Sequence, residues 1–246
     1  MMLAAEIVVK RLMIVLGAMA LAESLLFIRM LYRAAAGTFV LQDGQYGTEF
    51  AGLFYRSGIA AVCAAAFCLY CAVLSIGLRG RKISNISYTI KRLSLSEREI
   101  FGCFALHNIL ALLAFWGIQT LILLAFAGAY ASEPGEILCG PQTIFLSFYQ
   151  QSFLHGMLPL GDAVRYIVNM IHYVSLGMIS AAVPISARTG KGEAGVMAVM
   201  TIWSVFFIVN SFGCWEEGLI FTGSVWGAAA GCVLRMFFGG VKDETA

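Results

Sequence analysis

The stretch TIFLSFYQQSFLHGMLPLG, residues 143–161, decides how many times this chain crosses a membrane. A spanning helix needs roughly 20 mainly apolar residues, and the stretch is long enough. Gln150, Gln151 and His155 interrupt it. If it crossed, every segment after it would change sides.

The rest of the chain supplies the test. Of 246 residues, 60% are hydrophobic and 12% charged, against about a quarter charged in soluble domains. Mean hydropathy is +0.85. The expected fold is an all-α polytopic membrane protein, one transmembrane domain over residues 1–246, without an internal repeat or a soluble domain. Residues 12–32, 57–78, 101–130, 162–184, 194–212 and 219–239 each qualify as a span. With six spans, Lys10, Arg11, Arg79, Arg81, Lys82, Lys91, Arg92, Arg98, Arg188, Lys191, Arg235 and Lys242 share one side. Cytoplasmic loops are rich in Lys and Arg, so this side is the inner one and both termini lie there. The outer loops hold Asp43, Glu49, Glu133, Glu136, Glu216 and Glu217, with Arg33 and Arg56 as exceptions. A seventh span would move Arg188, Lys191 and the C-terminus outward. Residues 143–161 are therefore expected as an interfacial or re-entrant helix on the outer face, where aromatic side chains suit the headgroup region. The location expected is the plasma (inner) membrane. The first span is too long and too polar at its centre for a cleaved signal and is read as a retained helix.

The most charged run is ISNISYTIKRLSLSEREIF, residues 83–101. Ile83, Ile86, Ile90 and Leu93 recur at three, four and three, one face of a short amphipathic helix. Ser96 with Glu99 fits a capping box, and Leu95 with Ile100 fits a hydrophobic staple. A new helix therefore starts at about Glu97 and runs into the third span. Two roles suit a helix, corner and helix on the inner side. One is a basic helix lying on anionic lipid. The other is a docking element for a soluble partner, for which a rigid corner has a use.

YTIKRLSLSEREIF, residues 88–101, between the second and third of six expected spans, resembles the coupling-helix region of type-2 ABC transporter permeases. That family shows a Thr-Leu-Arg-x-Leu-Pro-[Leu/Ile/Val]-Ser-Arg pattern. Thr89, Leu93, Leu95 and Ser96 match it, and Ile90 and Lys91 are similar substitutes. Ser94 stands where the family has Pro, and Glu97 where it has Arg. The family commonly sets its outer re-entrant helices before the last span, whereas the long outer loop here follows the third. The resemblance implies a permease subunit, among them those that expel peptide antibiotics, exporting an amphiphilic peptide, lipid or drug-like substrate. It implies a second permease subunit, as homo- or heterodimer, and a separate cytoplasmic ATPase that carries the ATP and Mg. Ile86, Tyr88, Ile90, Lys91, Arg92, Leu93 and Leu95 would form the docking surface. Besides these partners only membrane lipid is expected, and no nucleic acid.

Polar residues inside the spans are the other candidates. Glu23 lies near the middle of the first span, where a carboxylate costs a few kcal/mol on insertion scales. Arg29, six residues on, is a poor partner by azimuth. Gln119, Asn169 and His172 also lie near the midplane, and Arg165 near the outer face. Glu23, Gln119, Asn169 and His172 either line a translocation path or form hydrogen bonds that hold the bundle together. His107-Asn108, at the inner start of the third span, is read as contacting the connecting helix.

The chain carries seven Cys. Cys68 and Cys71 form a C-x-x-C inside an apolar helix, read as packing. Cys139 and Cys214 fall in outer loops, on the oxidising side, where a disulfide between them can form. Three scattered His make no metal site, and the chain is expected to bind no cofactor. ARTGKGEAG, residues 187–195, lacks the first Gly and the Ser/Thr of a nucleotide-binding loop, so no enzyme activity is expected of this chain alone. Two other classes stay open. One is an accessory or sensory membrane subunit without its own path. The other is an intramembrane protease, suggested by Glu216-Glu217, though that pair is read in an outer turn and lacks an Arg four residues after it.

Overall fold

The computed structural model describes residues 2–35, 49–76, 97–132, 141–186, 194–209 and 215–238. These residues are almost entirely helical, with no strand among them. In chain order the helices are α1 Met2–Ala35, α2 Glu49–Ser57, α3 Ile59–Ile76, α4 Glu97–Ala131, α5 Pro141–Gln150, α6 Ser152–Met157, α7 Ala163–Ser186, α8 Ala194–Val209 and α9 Trp215–Phe238. Stretches of α1, α4 and α7 (Glu6–Arg33, Arg98–Ala131 and Ala163–Pro184) are long and apolar enough to cross a membrane. The α2–α3 pair qualifies as a fourth if its halves are joined across a 53° bend. The last two expected spans are also helices, described over shorter apolar stretches, Gly195–Phe206 and Leu219–Arg235. The described residues thus have the build of an all-α membrane protein, with three to four helices long and apolar enough to cross.

The distribution of polarity is that of a protein whose surroundings are apolar. Glu23 and Gln119 are 0% exposed, while Leu21 and Leu25 on the same helix as Glu23 are each 68% exposed. Water would reverse that order; hydrocarbon favours it, because a polar group there must find its partner inside the bundle. In α4 the residues at steps of three and four are all buried: Phe101, Ala105, Asn108, Leu112, Phe115, Gln119, Leu123, Phe126 and Tyr130. Leu106, Leu110, Leu121 and Leu124 point outward. A 3.6-residue repeat puts the first set on one face for the whole length of the helix.

α7 is the central helix, packing on α3, α4, α8 and α9, and most extensively on α4. That crossing is close because Gly177 has no side chain. A Cβ there would lie 2.5 Å from Ile109 Cγ1, 2.8 Å from Ile109 N and 2.9 Å from Ile109 Cα. Ala181, one turn on, is fully buried, so the two make a small-xxx-small pair of the kind that lets membrane helices approach. Asn108 Nδ2 donates to Ser180 Oγ at 2.9 Å, and Ser180 Oγ donates in turn to Gly177 O at 2.9 Å. Asn108 thereby fixes the register of α4 on α7; the connecting helix, which the sequence reading set His107-Asn108 against, lies outside the described residues.

A helix break shapes the second expected span. Gly58 has φ +74°, a conformation that favours glycine. Ser57 Oγ donates to Phe54 O at 3.1 Å and accepts from Ile59 N at 3.2 Å, so one hydroxyl ends α2 and starts α3. The segment before the break was expected to be an outer loop. It is α2, and it is helical because Phe50, Leu53, Phe54 and Ser57 recur on one face and bury it. Phe50 and Phe54 join Phe27, Phe126, Tyr130 and Phe148 in an aromatic cluster. Its tightest pair is Phe27 stacked on Phe126, with centroids 4.4 Å apart. Phe50 reaches Phe54, Tyr130 and Phe148 at 5.0, 5.1 and 6.1 Å. Glu216 and Glu217 likewise lie not in a turn but in the first turn of α9, a position acidic residues favour because backbone N–H groups are unpaired there.

The Gly177–Ile109 contact yields a sharp expectation. Gly177→Ala should lower the thermal midpoint of the detergent-solubilised chain by the cost of an overpacked site, about 1–3 kcal/mol, and Gly177→Leu should abolish a monodisperse folded species in size-exclusion chromatography. Adding Ile109→Ala should recover little, because two of the three crowding atoms are backbone. Full recovery would mean that the backbones do not approach so closely.

Candidate functional site

Glu23, Gln119, Asn169 and His172, singled out near the midplane, all lie buried in the bundle, and each has a protein partner. Gln119 Nε2 of α4 donates to both carboxyl oxygens of Glu23 on α1, at 3.1 and 3.0 Å. Arg29 is exposed and takes no part in that pair. Asn169 Nδ2 of α7 donates to Gly156 O of α6 at 3.0 Å. His172 Nε2 of α7 lies 2.8 Å from Ser204 Oγ of α8.

Asn169 belongs to a larger arrangement. Residues 143–161 are not one helix of spanning length: α5 ends at Gln150 and α6 restarts at Ser152. Gln151 makes the break. Its side-chain carbonyl accepts from Leu154 N–H and caps α6. Phe145, Leu146 and Tyr149 of α5 are exposed, whereas Phe153, Leu154, Gly156 and Met157 of α6 are buried. A six-residue helix cannot pair its last carbonyls within itself, and Gly156 and Met157, which carry two of them, are buried. Neighbouring helices supply the donors. Asn169 takes Gly156 O, and Trp116 Nε1 of α4 donates to Met157 O at 2.8 Å. Trp116 also stacks on Tyr173 and meets Tyr166 edge-on, each with centroids 5.9 Å apart. After the buried Leu158 and Pro159, Gly161 turns the chain with φ +82°. Asp162 Oδ1 then accepts from Arg165 N at 3.0 Å and opens α7. His155, in α6, is held below the usual imidazole range, first by burial and then by the Arg165 charge, with Asp162 acting in the opposite sense.

The His172–Ser204 distance is that of a nucleophile and base, but the hydroxyl points elsewhere. Ser204 Oγ donates its single hydrogen to Met200 O at 2.6 Å, so His172 Nε2 is the donor in their contact. The proton therefore runs from imidazole to hydroxyl, opposite to what activating a serine requires. As arranged, the pair joins α7 to α8.

Among the described residues no group of His, Cys, Asp and Glu could hold a metal ion. Cys68 and Cys71 are free thiols in α3, Cys71 fully buried. Cys139 and Cys214, and the docking candidates Ile86, Tyr88, Ile90, Lys91, Arg92, Leu93 and Leu95, lie outside the described residues. The sequence reading missed Trp116, Ser180 and Ser204 as partners. A Trp or Ser in an apolar helix gives no sign of which neighbour it meets. No family model, curated protein or solved structure matches this chain.

Trp116→Phe and Asn169→Leu each leave one α6 carbonyl buried without a donor. Each should cost about 1–3 kcal/mol, the penalty of an unsatisfied buried polar group. Thermal unfolding in detergent measures the loss. The double variant should also expose a Cys introduced at Leu154 to a thiol reagent that barely labels it in the parent background. Unchanged labelling would show that α6 is held by packing alone.

Proposed function

We propose that the chain is the permease subunit of a type-2 ABC transporter, exporting an amphiphilic substrate and driven by a separate cytoplasmic ATPase that docks on residues 83–95. The observation that carries the reading is α4. It begins at Glu97, where the Ser96–Glu99 sequence pattern predicts the start of a helix, directly after the stretch that resembles a coupling helix. It continues unbroken for 35 residues. At about 1.5 Å per residue this is a rod of ~50 Å, against a hydrocarbon core of ~30 Å. Arg98 and Glu99 at its start are exposed. A rod that outreaches the membrane on the side of the basic stretch is a suitable lever between a docked motor and the bundle.

In this reading the chain crosses six times, with α8 and α9 as the fifth and sixth spans and both termini in the cytoplasm of a plasma (inner) membrane. The broken α5–α6 segment dips in from the outer face, α5 at the interface and α6 in the bundle. This chain binds no nucleotide; ATP and Mg belong to the ATPase. A second permease subunit completes the transporter.

One observation favours a second reading, an accessory membrane subunit without its own path. Glu23, Gln119, Asn169 and His172 are buried and hydrogen-bonded to protein, as structural residues would be.

Topology is tested by labelling with an impermeant thiol reagent from outside, on a Cys-free background. Cys at Gln45 or Glu216 should react, and Cys at Ser84 or Arg188 should be shielded. Outside labelling at 188 would make residues 143–161 a span and overturn the six-span arrangement. Function is tested by co-purification. A soluble ATPase should come down stoichiometrically with the solubilised chain and be lost from Leu93→Asp, whose parent side chain would contribute about 1.5–3 kcal/mol if fully buried in the partner. An ATPase that stays with Leu93→Asp at full stoichiometry would sink the docking assignment, and no ATPase in either preparation would favour the accessory reading.

A further inference from the structure

The Glu23–Gln119 pair is incompletely satisfied as a carboxylate and an amide. One amide nitrogen straddles both carboxyl oxygens, at 3.1 and 3.0 Å. Gln119 Oε1 is buried and has no hydrogen-bond partner. Both side chains are fully buried. Glu23 has no cationic partner among the described residues. The helices packed on α1 are α2, α3 and α4. The titratable group near Glu23 on them is the Cys63 thiol of α3, which adds no charge while it keeps its proton. Among the described residues no charged group of α2 or α4 acts on Glu23. A bare carboxylate held by one neutral amide in such a place carries a desolvation cost that a single hydrogen bond does not offset.

A proton removes both defects together. A neutral carboxylic acid offers one O–H donor and one C=O acceptor, and a primary carboxamide offers the complement. Turning the Gln119 amide about its terminal torsion, which is broad, brings Oε1 to the acid O–H while Nε2 keeps the acid C=O. Two hydrogen bonds then close one ring, and the orphaned Oε1 gains its partner. The proton comes from solvent and adds to one carboxylate oxygen; no other bond changes.

We propose that Glu23 and Gln119 form a proton-binding site in the membrane core, occupied at neutral pH, in which acid and amide pair reciprocally and clip α1 to α4. Removing the proton returns an unpaired charge and an orphaned carbonyl to the bundle, so the clip loosens at alkaline pH. The inference rests on this geometry and is independent of the transporter reading.

Infrared spectroscopy of the full chain reconstituted in lipid vesicles tests it. Solvated carboxyls are ionised at neutral pH, so a protonated-carboxyl C=O band that shifts in D2O reports a buried acid. The band should be present in the parent protein at neutral pH, vanish as pH is raised, and be absent from Glu23→Gln. Glu23→Gln should keep the parent's thermal midpoint, since an amide–amide pair closes the same ring. Gln119→Leu should move the band to higher frequency by removing the carbonyl that accepts the acid proton. A parent spectrum without the band at neutral pH would overturn the proposal, and this reading needs no variant to fold. A band that is unmoved in Gln119→Leu would overturn the reciprocal pairing.

Discussion

A bundle surrounded by hydrocarbon must satisfy its hydrogen bonds from within, and that requirement organises this molecule more than apolar burial does. Lipid is as apolar as leucine, so burying leucine against leucine gives no preference for one helix arrangement over another. Polar groups do give one. The hydroxyls of Ser24, Ser75, Thr120, Ser175 and Thr201 return to the carbonyl four residues back on their own helix and so demand nothing of their neighbours. The groups that cannot be satisfied within their own helix are the ones that fix partners. These are the Asn108, Gln119 and Asn169 amides, the Trp116 indole, the Tyr70 hydroxyl and the end of α6. Each such bond is modest, about 0.6 kcal/mol on average between membrane helices, but each is met at one register only.

The α6 segment shows how the requirement permits irregular backbone. A broken helix at this depth is tolerated where protein covers it, and here two helices supply donors to successive carbonyls, Asn169 to Gly156 and Trp116 to Met157. Gln150, Gln151 and His155, which argue in the sequence against a span, have different fates in the structure. Gln151 caps α6, His155 packs edge-on against Tyr149 with centroids 5.4 Å apart, and Gln150 ends α5 as an exposed residue. Of the polar interruption, Gln151 alone supplies the capping chemistry of the helix restart.

The helices were legible because their signals are local. Ser96 and Glu99 marked the start of α4 at Glu97, and the apolar lengths marked α1, α3, α4, α7, α8 and α9. Polar residues buried by a membrane were legible too, since Glu23 or His172 in an apolar run must be accommodated somewhere. What they meet was not legible. Glu23 and Gln119 are 96 residues apart in sequence, and pairing them needs the axial offset and rotation of α1 on α4. The Phe27–Phe126 stack helps fix that offset, and although Phe126 falls on the periodic buried face of α4, nothing in the period says that it meets Phe27. α2 was hidden for a related reason. Nine residues ending at Ser57-Gly58 are too short for a span, and their helix exists because Phe50 and Phe54 find Phe27, Phe126 and Tyr130.

The non-local contacts converge on α4 in an ordered way. Counting from its Glu97 end, Asn108 and Ile109 meet α7, and Ala111 O accepts from Tyr70 of α3 at 2.9 Å. Trp116 holds α6, Gln119 holds α1, and Phe126 and Tyr130 reach the aromatic groups of α1 and α2. Successive turns of one helix therefore carry bonds to five different neighbours. A displacement applied at Glu97 would reach α7 and α3 within the first half of the helix, before it reached the Glu23 pair or the aromatic cluster. In the transporter reading this order matters. The end next to the basic stretch is joined to α7 by close backbone packing, which is stiff. The far end meets α1 and α2 through buried aromatic side chains. In that reading a rod packed backbone to backbone on α7 at Ile109 would carry α7 with it when its Glu97 end is displaced, and the Glu23 pair and the aromatic cluster would feel the displacement only through the rest of α4.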